Sequence, residues 1–136
     1  MKLNPFNSDL LTRALEDSGG REICAVVLED RQGGQEVIRV RNWSRDVDGF
    51  FIATSELRRI ERYAERQGCK VLAFIHSHSS SLELSDRDRR SLEHSKYPWM
   101  VVCLGAFGLQ TTFYENPAQL NIRSSEEVRV DEGDSS

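Results

Sequence analysis

Residues 70–88 read KVLAFIHSHSSSLELSDRD: an apolar run, two closely spaced histidines, a polar loop and a helix start. KVLAFI has the length and composition of a buried strand, and it ends at His76. Residues 79–84 are loop. Ser85 then opens a helix that begins Asp86-Arg87-Asp88, because its hydroxyl can accept one of the amide hydrogens a helix start leaves without a carbonyl.

Upstream, SELRRIERYAERQG predicts a helix from Thr54 or Ser55, with Leu57, Ile60 and Ala64 on one side and Gly68 as its stop. Its arginines (58, 59, 62 and 66) alternate with Glu56, Glu61 and Glu65, the pattern of a solvated face rather than a basic patch. Before it, EVIRVRN alternates apolar and charged residues as a half-exposed strand does. DRQGGQ is a turn in which Gly33-Gly34 can supply the positive φ of a hairpin. REICAVVLE, residues 21–29, is a mostly apolar strand, and residues 6–18 form a short amphipathic helix closed by Gly19-Gly20. Downstream come a buried-type strand WMVVCL, a turn at Gly105–Gly108, a strand LQTTFYE and a weaker strand near Leu120–Ile122. The order α-β-β-α-β-α-β-β predicts an α/β (α+β) domain, a mixed sheet with helices packed on it rather than a doubly wound fold.

The chain has 136 residues, enough for one domain, expected over 1–122. Residues 123–136 form an acidic tail with too little to bury. Between Glu126 and Asp134 five acidic residues and one Arg account for the whole net charge of -4, so the body is charge-balanced. No GxGxxG or GxxxxGK[ST] is present, and no aromatics interleave with the arginines, so neither nucleotide nor nucleic-acid binding has support. No apolar run approaches a membrane span, and MKLNPFNSDLL lacks the apolar stretch of a signal peptide. Cys24, Cys69 and Cys103 lie among apolar residues without CxxC spacing and read as three buried thiols, as in a cytoplasmic protein.

All three histidines fall between His76 and His94. Side chains along a strand repeat with period two, so His76 and His78 face the same way and suit chelation of one metal ion. Zinc takes four near-tetrahedral ligands, so two imidazoles need a third protein ligand if one position is to stay open. Asp88, in the first turn of the following helix, is the candidate. Asp86 is the alternative, and both also suit the positive end of a helix dipole. Two histidines and a carboxylate are the composition of catalytic zinc. His94 follows Asp88 on a different helix face and reads as surface. Hydrolysis also needs a base, and Glu22 opens the apolar strand ICAVV. It either faces water at the strand end or faces the metal, where it would take a proton from water and pass it to the leaving amine.

Glu22, His76-Ser77-His78, Ser85 and Asp88 together resemble the motif of the JAB/JAMM metalloproteases, the active (MPN+) branch of the MPN domain. That motif is a glutamate near the domain start, His-Ser/Thr-His, a short loop and Ser-x-x-Asp. The resemblance covers roughly residues 8–115, and Cys24 looks like a frequent core cysteine of bacterial members. It implies a JAB/MPN-like mixed central β-sheet flanked by helices, with a cytidine-deaminase-like architecture. It implies zinc held by His76, His78 and Asp88, with Glu22 as the general base for water. Ser85 would hydrogen-bond the water or the developing oxyanion.

The implied activity is hydrolysis of the peptide or isopeptide bond after the C-terminal glycine of a ubiquitin-like protein. Small prokaryotic members look like processors of sulfur carriers or deconjugases of defence systems, so a modifier encoded beside activating and conjugating enzymes is the expected partner. Neither nucleic acid nor membrane is expected, and the expected state is a monomer or weak homodimer. The alternatives are a peptidase acting on a cell-wall or phage-tail peptide, and a non-catalytic MPN scaffold. One departure stands out. The family's loop has seven residues with a proline after the second histidine, whereas SSSLEL has six and no proline, which predicts a less fixed loop.

Overall fold

The computed structural model describes residues 1–42, 44 and 52–115. Helix α1 (Pro5–Glu16) starts where the sequence provides a cap: the Asn7 amide donates to Asn4 Oδ1 at 2.8 Å, and Pro5 occupies the first turn. Strands β1 (Cys24–Glu29) and β2 (Gln35–Val40) form an antiparallel hairpin. In its turn only Gly33 takes a positive φ, +85°. Gly34 is needed for space, since a Cβ there would lie 2.6 Å from Asp30 Oδ2. The Asp30 carboxylate ties the turn by accepting the Gln32 and Gly34 amides.

Helix α2 (Thr54–Gln67) ends at Gly68 in the left-handed conformation, φ +70°, as the glycine stop predicts. Strand β3 (Lys70–Ser77), helix α3 (Asp86–Glu93), and strands β4 (Trp99–Gly105) and β5 (Gly108–Tyr114) complete the described chain. The sheet order is β2-β1-β3-β4-β5, antiparallel except for the parallel pair β3–β4, whose connection carries α3. This is the expected mixed sheet.

Both faces are covered, so the inner strands read as continuous apolar runs rather than alternating ones. Cys24, Val26, Phe74, Trp99 and Val101 face Ile60 and Ala64 of α2 and Leu92 of α3. Ile23, Ala25, Val27, Ile75, Met100 and Val102 face Leu11 and Ala14 of α1. No helix among the described residues is long and apolar enough to cross a membrane.

Three expectations change. β1 begins at Cys24, not Arg21, because the Ile23 amide donates to the Ser77 hydroxyl at 2.8 Å instead of to a strand carbonyl. Glu22 therefore precedes the regular strand. β3 runs through both His76 and Ser77, since the Ser77 amide still donates to the Ile23 carbonyl. Of the three thiols, Cys24 and Cys103 are buried while Cys69, just past the end of α2, is half-buried. The proposed strand at Leu120–Ile122 and the acidic tail lie outside the described residues.

Candidate metal centre

Antiparallel register sets Cys24 of β1 opposite His76 of β3, which carries Glu22 to the same sheet end as the two histidines. One ligand atom each from Glu22, His76 and His78 lies within 4.8 Å of the others. Glu22 Oε1 is 3.7 Å from His76 Nδ1. His76 is only 1% exposed, held edge-on by Trp99 and His78, each with ring centroids 4.9 Å away.

Asp88 reaches the cluster through His78: its Oδ2 lies 3.2 Å from His78 Nε2. It is not one of the three mutually close groups, but its side chain is buried to a similar degree as Glu22 and His78. The same carboxylate accepts the Ser85 amide at 3.3 Å, and the Ser85 hydroxyl accepts the Asp88 amide at 3.0 Å. This reciprocal capping box is why Ser-x-x-Asp at a helix start points the aspartate back toward the strand end. Ser85 thus acts as an acceptor for Asp88 and retains its own proton to donate. Asp86 is exposed on the same turn, and His94 is exposed at the C-terminal cap of α3.

The histidine tautomer follows from the loop. His78 Nδ1 lies 3.1 Å from the Ser81 carbonyl oxygen. A carbonyl only accepts, so Nδ1 carries the hydrogen and Nε2 is the atom presented to Asp88 and to a metal. The proline-free loop is fastened by other means: Tyr114 Oη donates to the Leu82 carbonyl at 2.7 Å, the Glu83 amide donates to Ser81 Oγ, and Leu84 is buried. Ser77, between the histidines, stands in the sequence motif without a role of its own. Buried at 2% exposure, it clamps Ile23 by two hydrogen bonds and so positions the adjacent Glu22. Its signal is the small residue set between the two histidines at the end of an apolar run.

The donor set fits a divalent cation. Glu22 Oε1 is a buried carboxylate oxygen with no hydrogen-bond donor among the described residues, a costly arrangement that a cation would relieve. Two imidazoles and two carboxylates are ligands suited to zinc. Glu22, His76 and His78 are placed to hold such an ion.

Without metal, the hydrogen bond to Asp88 raises the His78 pKa above its ordinary 6.5, against burial and with help from the Glu22 charge. Burial pushes the Asp88 carboxyl up, but the His78 hydrogen bond, the His76 charge and the Ser85 amide outweigh it and hold it below 3.8. A raised imidazole pKa contributes stability that is full below 6.5 and is lost as pH rises through the folded value. A lowered carboxyl pKa contributes stability present above 3.8 and lost as pH falls through the folded value. Chelator-treated protein is therefore expected to melt highest between these two pH values and lower at pH 8. Thermal melts in chelator across that range check this, and a melting temperature that climbs from pH 6.5 to 8 would contradict it.

Residues 7–114 match the family described as prokaryotic homologs of the JAB domain. No curated protein matches. In fold the chain is similar to a Desulfitobacterium hafniense protein of known solution structure, with TM-score 0.64 and 13% identity over 80% of this chain and 87% of that one. It is also similar to a JAB1/MPN domain protein from Archaeoglobus fulgidus, with TM-score 0.49 and 17% identity over 77% and 82% of the two chains. The family match takes in nearly every described element and all of Glu22, His76, His78, Ser85 and Asp88: the chain belongs to the prokaryotic homologs of the JAB domain.

Proposed function

We propose that this chain is a zinc-dependent peptidase that cleaves the peptide or isopeptide bond after the C-terminal glycine of a ubiquitin-like protein. The observation that carries the reading is the Glu22 carboxylate, drawn in beside two imidazoles with a buried oxygen that has no hydrogen-bond donor among the described residues. Zinc would be held by His76, His78 and Asp88. When bound it supplies positive charge that polarises the scissile carbonyl and makes water more acidic.

The remaining work falls to the chain. Glu22 takes the proton of the attacking water and delivers it to the departing amine, so the same carboxylate serves first as base and then as acid. His78 is held in one tautomer by the Ser81 carbonyl, and Trp99 fixes the plane of His76. The Ser85 proton is available to the oxyanion that develops on the scissile carbonyl. Between Asp88 and Glu115 the chain is spent on α3, β4 and β5, with only Ala106 and Phe107 linking the last two strands. A centre with so little around it suits the extended end of a modifier. Exposed Arg89 and Arg90 beside Asp88 would steer an acidic partner surface.

The test is incubation of the zinc-loaded full chain with ubiquitin-like fusions, with and without chelator, reading the cut by mass. Cleavage after the modifier's terminal glycine, lost with chelator and restored by zinc, is expected. Cleavage of a cell-wall peptide alone would reassign the substrate. No cleavage by a chain that also fails to bind zinc would leave a scaffold.

A further inference from the structure

A cleft of about 150 Å³ adjoins the cluster. Glu22 and His78 belong to both. Its apolar walls are Leu15, at the end of α1, and Leu104, near the end of β4. In β4 the alternation that sends Met100 and Val102 toward α1 sends Leu104 the same way. The cleft therefore opens on the α1 side of the sheet end, whereas His76, Cys24 and Trp99 share the opposite side. His78 donates its amide to the Val102 carbonyl, which sets Leu104 just beyond the histidine.

We propose that this cleft is a specificity subsite that receives one neutral aliphatic side chain, up to about leucine size, from the substrate residue just before the glycine whose carbonyl reacts. The inference rests on the peptidase reading above. Successive side chains of an extended peptide point to opposite sides. A chain crossing the ends of β3 and β4 with its reacting carbonyl at the cluster thus turns a neighbouring side chain toward α1. The volume is well under the roughly 300–1,000 Å³ of sites for drug-sized ligands, so it suits a single side chain. Leu104 is 37% exposed directly after five buried residues of β4, an apolar surface left at the mouth of a polar centre. Arg21 and Glu22 in the lining are opposite in sign, so neither an acidic nor a basic side chain gains a net charge partner there, while burying either costs desolvation. That arrangement selects against both.

The experiment uses the full chain, isotope-labelled and metal-free, titrated with acetyl-Leu-Gly-methylamide and its Asp and Lys counterparts. Amide shifts centred on Leu15 and Leu104 with the Leu probe alone are expected. Leu104→Trp and Leu15→Phe, which fill the cleft from opposite walls, should each weaken that binding about tenfold or more. Equal shifts with all three probes, or Leu-probe binding unchanged in both folded variants, would overturn the subsite. Zinc-loaded protein is then given fusions with Leu, Asp or Lys at the residue just before the glycine at the cut. Leu-selective binding without hydrolysis of any fusion keeps the subsite and removes the peptidase reading. Hydrolysis of all three at one rate keeps the peptidase and removes the subsite.

Discussion

Glu22→Gln is expected to bind zinc and to hydrolyse substrate about 10²–10⁴-fold more slowly, the usual contribution of a positioned general base. The replacement keeps the size and planarity of the side chain, so the contact near His76 Nδ1, 3.7 Å away in the native chain, is not emptied. What it removes is the ability to hold a proton. It also removes a buried charge whose Oε1 has no donor among the described residues. The metal-free variant should therefore melt no lower than the native protein. Zinc titration, a thermal melt in chelator and single-turnover cleavage measure the three consequences separately. Cleavage within a few-fold of native by a zinc-loaded Glu22→Gln protein would remove Glu22 from the chemistry, whatever its place in the cluster.

Asp88→Ala should do two kinds of damage at once. The carboxylate that faces His78 Nε2 at 3.2 Å also accepts the Ser85 amide at the start of α3. Loss of the capping contact should lower stability by about 0.5–2 kcal/mol. Loss of a ligand should weaken zinc by more than the roughly 10- to 100-fold that an outer-shell partner is worth. Asp88→Asn separates the two, because an amide oxygen can still accept the Ser85 amide while the charge is gone. It should restore most of the stability and little of the zinc affinity. Asp86→Ala is the control, since Asp86 is exposed on the same turn and contributes only through the helix dipole. Calorimetric zinc titration and chemical denaturation of the three variants decide between the carboxylates. Zinc loss in Asp86→Ala with native affinity in Asp88→Ala would reverse the assignment.

Much of this molecule is written in local patterns. The apolar runs of β1, β3 and β4 are legible because strands buried on both faces need no polar alternation. Asn4, Ser85 and Gly68 mark helix ends because a helix leaves amides and carbonyls that nearby residues must satisfy. The same chemistry makes Ser-x-x-Asp readable, since the capping box that starts α3 also aims the Asp88 carboxylate. The pairing of His76 with His78 needed only the period of a strand.

Glu22 is another matter. Local composition left it facing either water or a metal, and its place beside His76 depends on how β1 registers against β3, far away in the chain. The clamp by Ser77 spans 54 residues, and the Tyr114 bond that anchors the proline-free loop spans 32. Periodicity and capping report interactions within a few residues, so they reveal elements and their ends. Register between distant strands is set by the joint packing of two opposite sheet faces. That packing brings Glu22 to two histidines and leaves a leucine-walled cleft at their side.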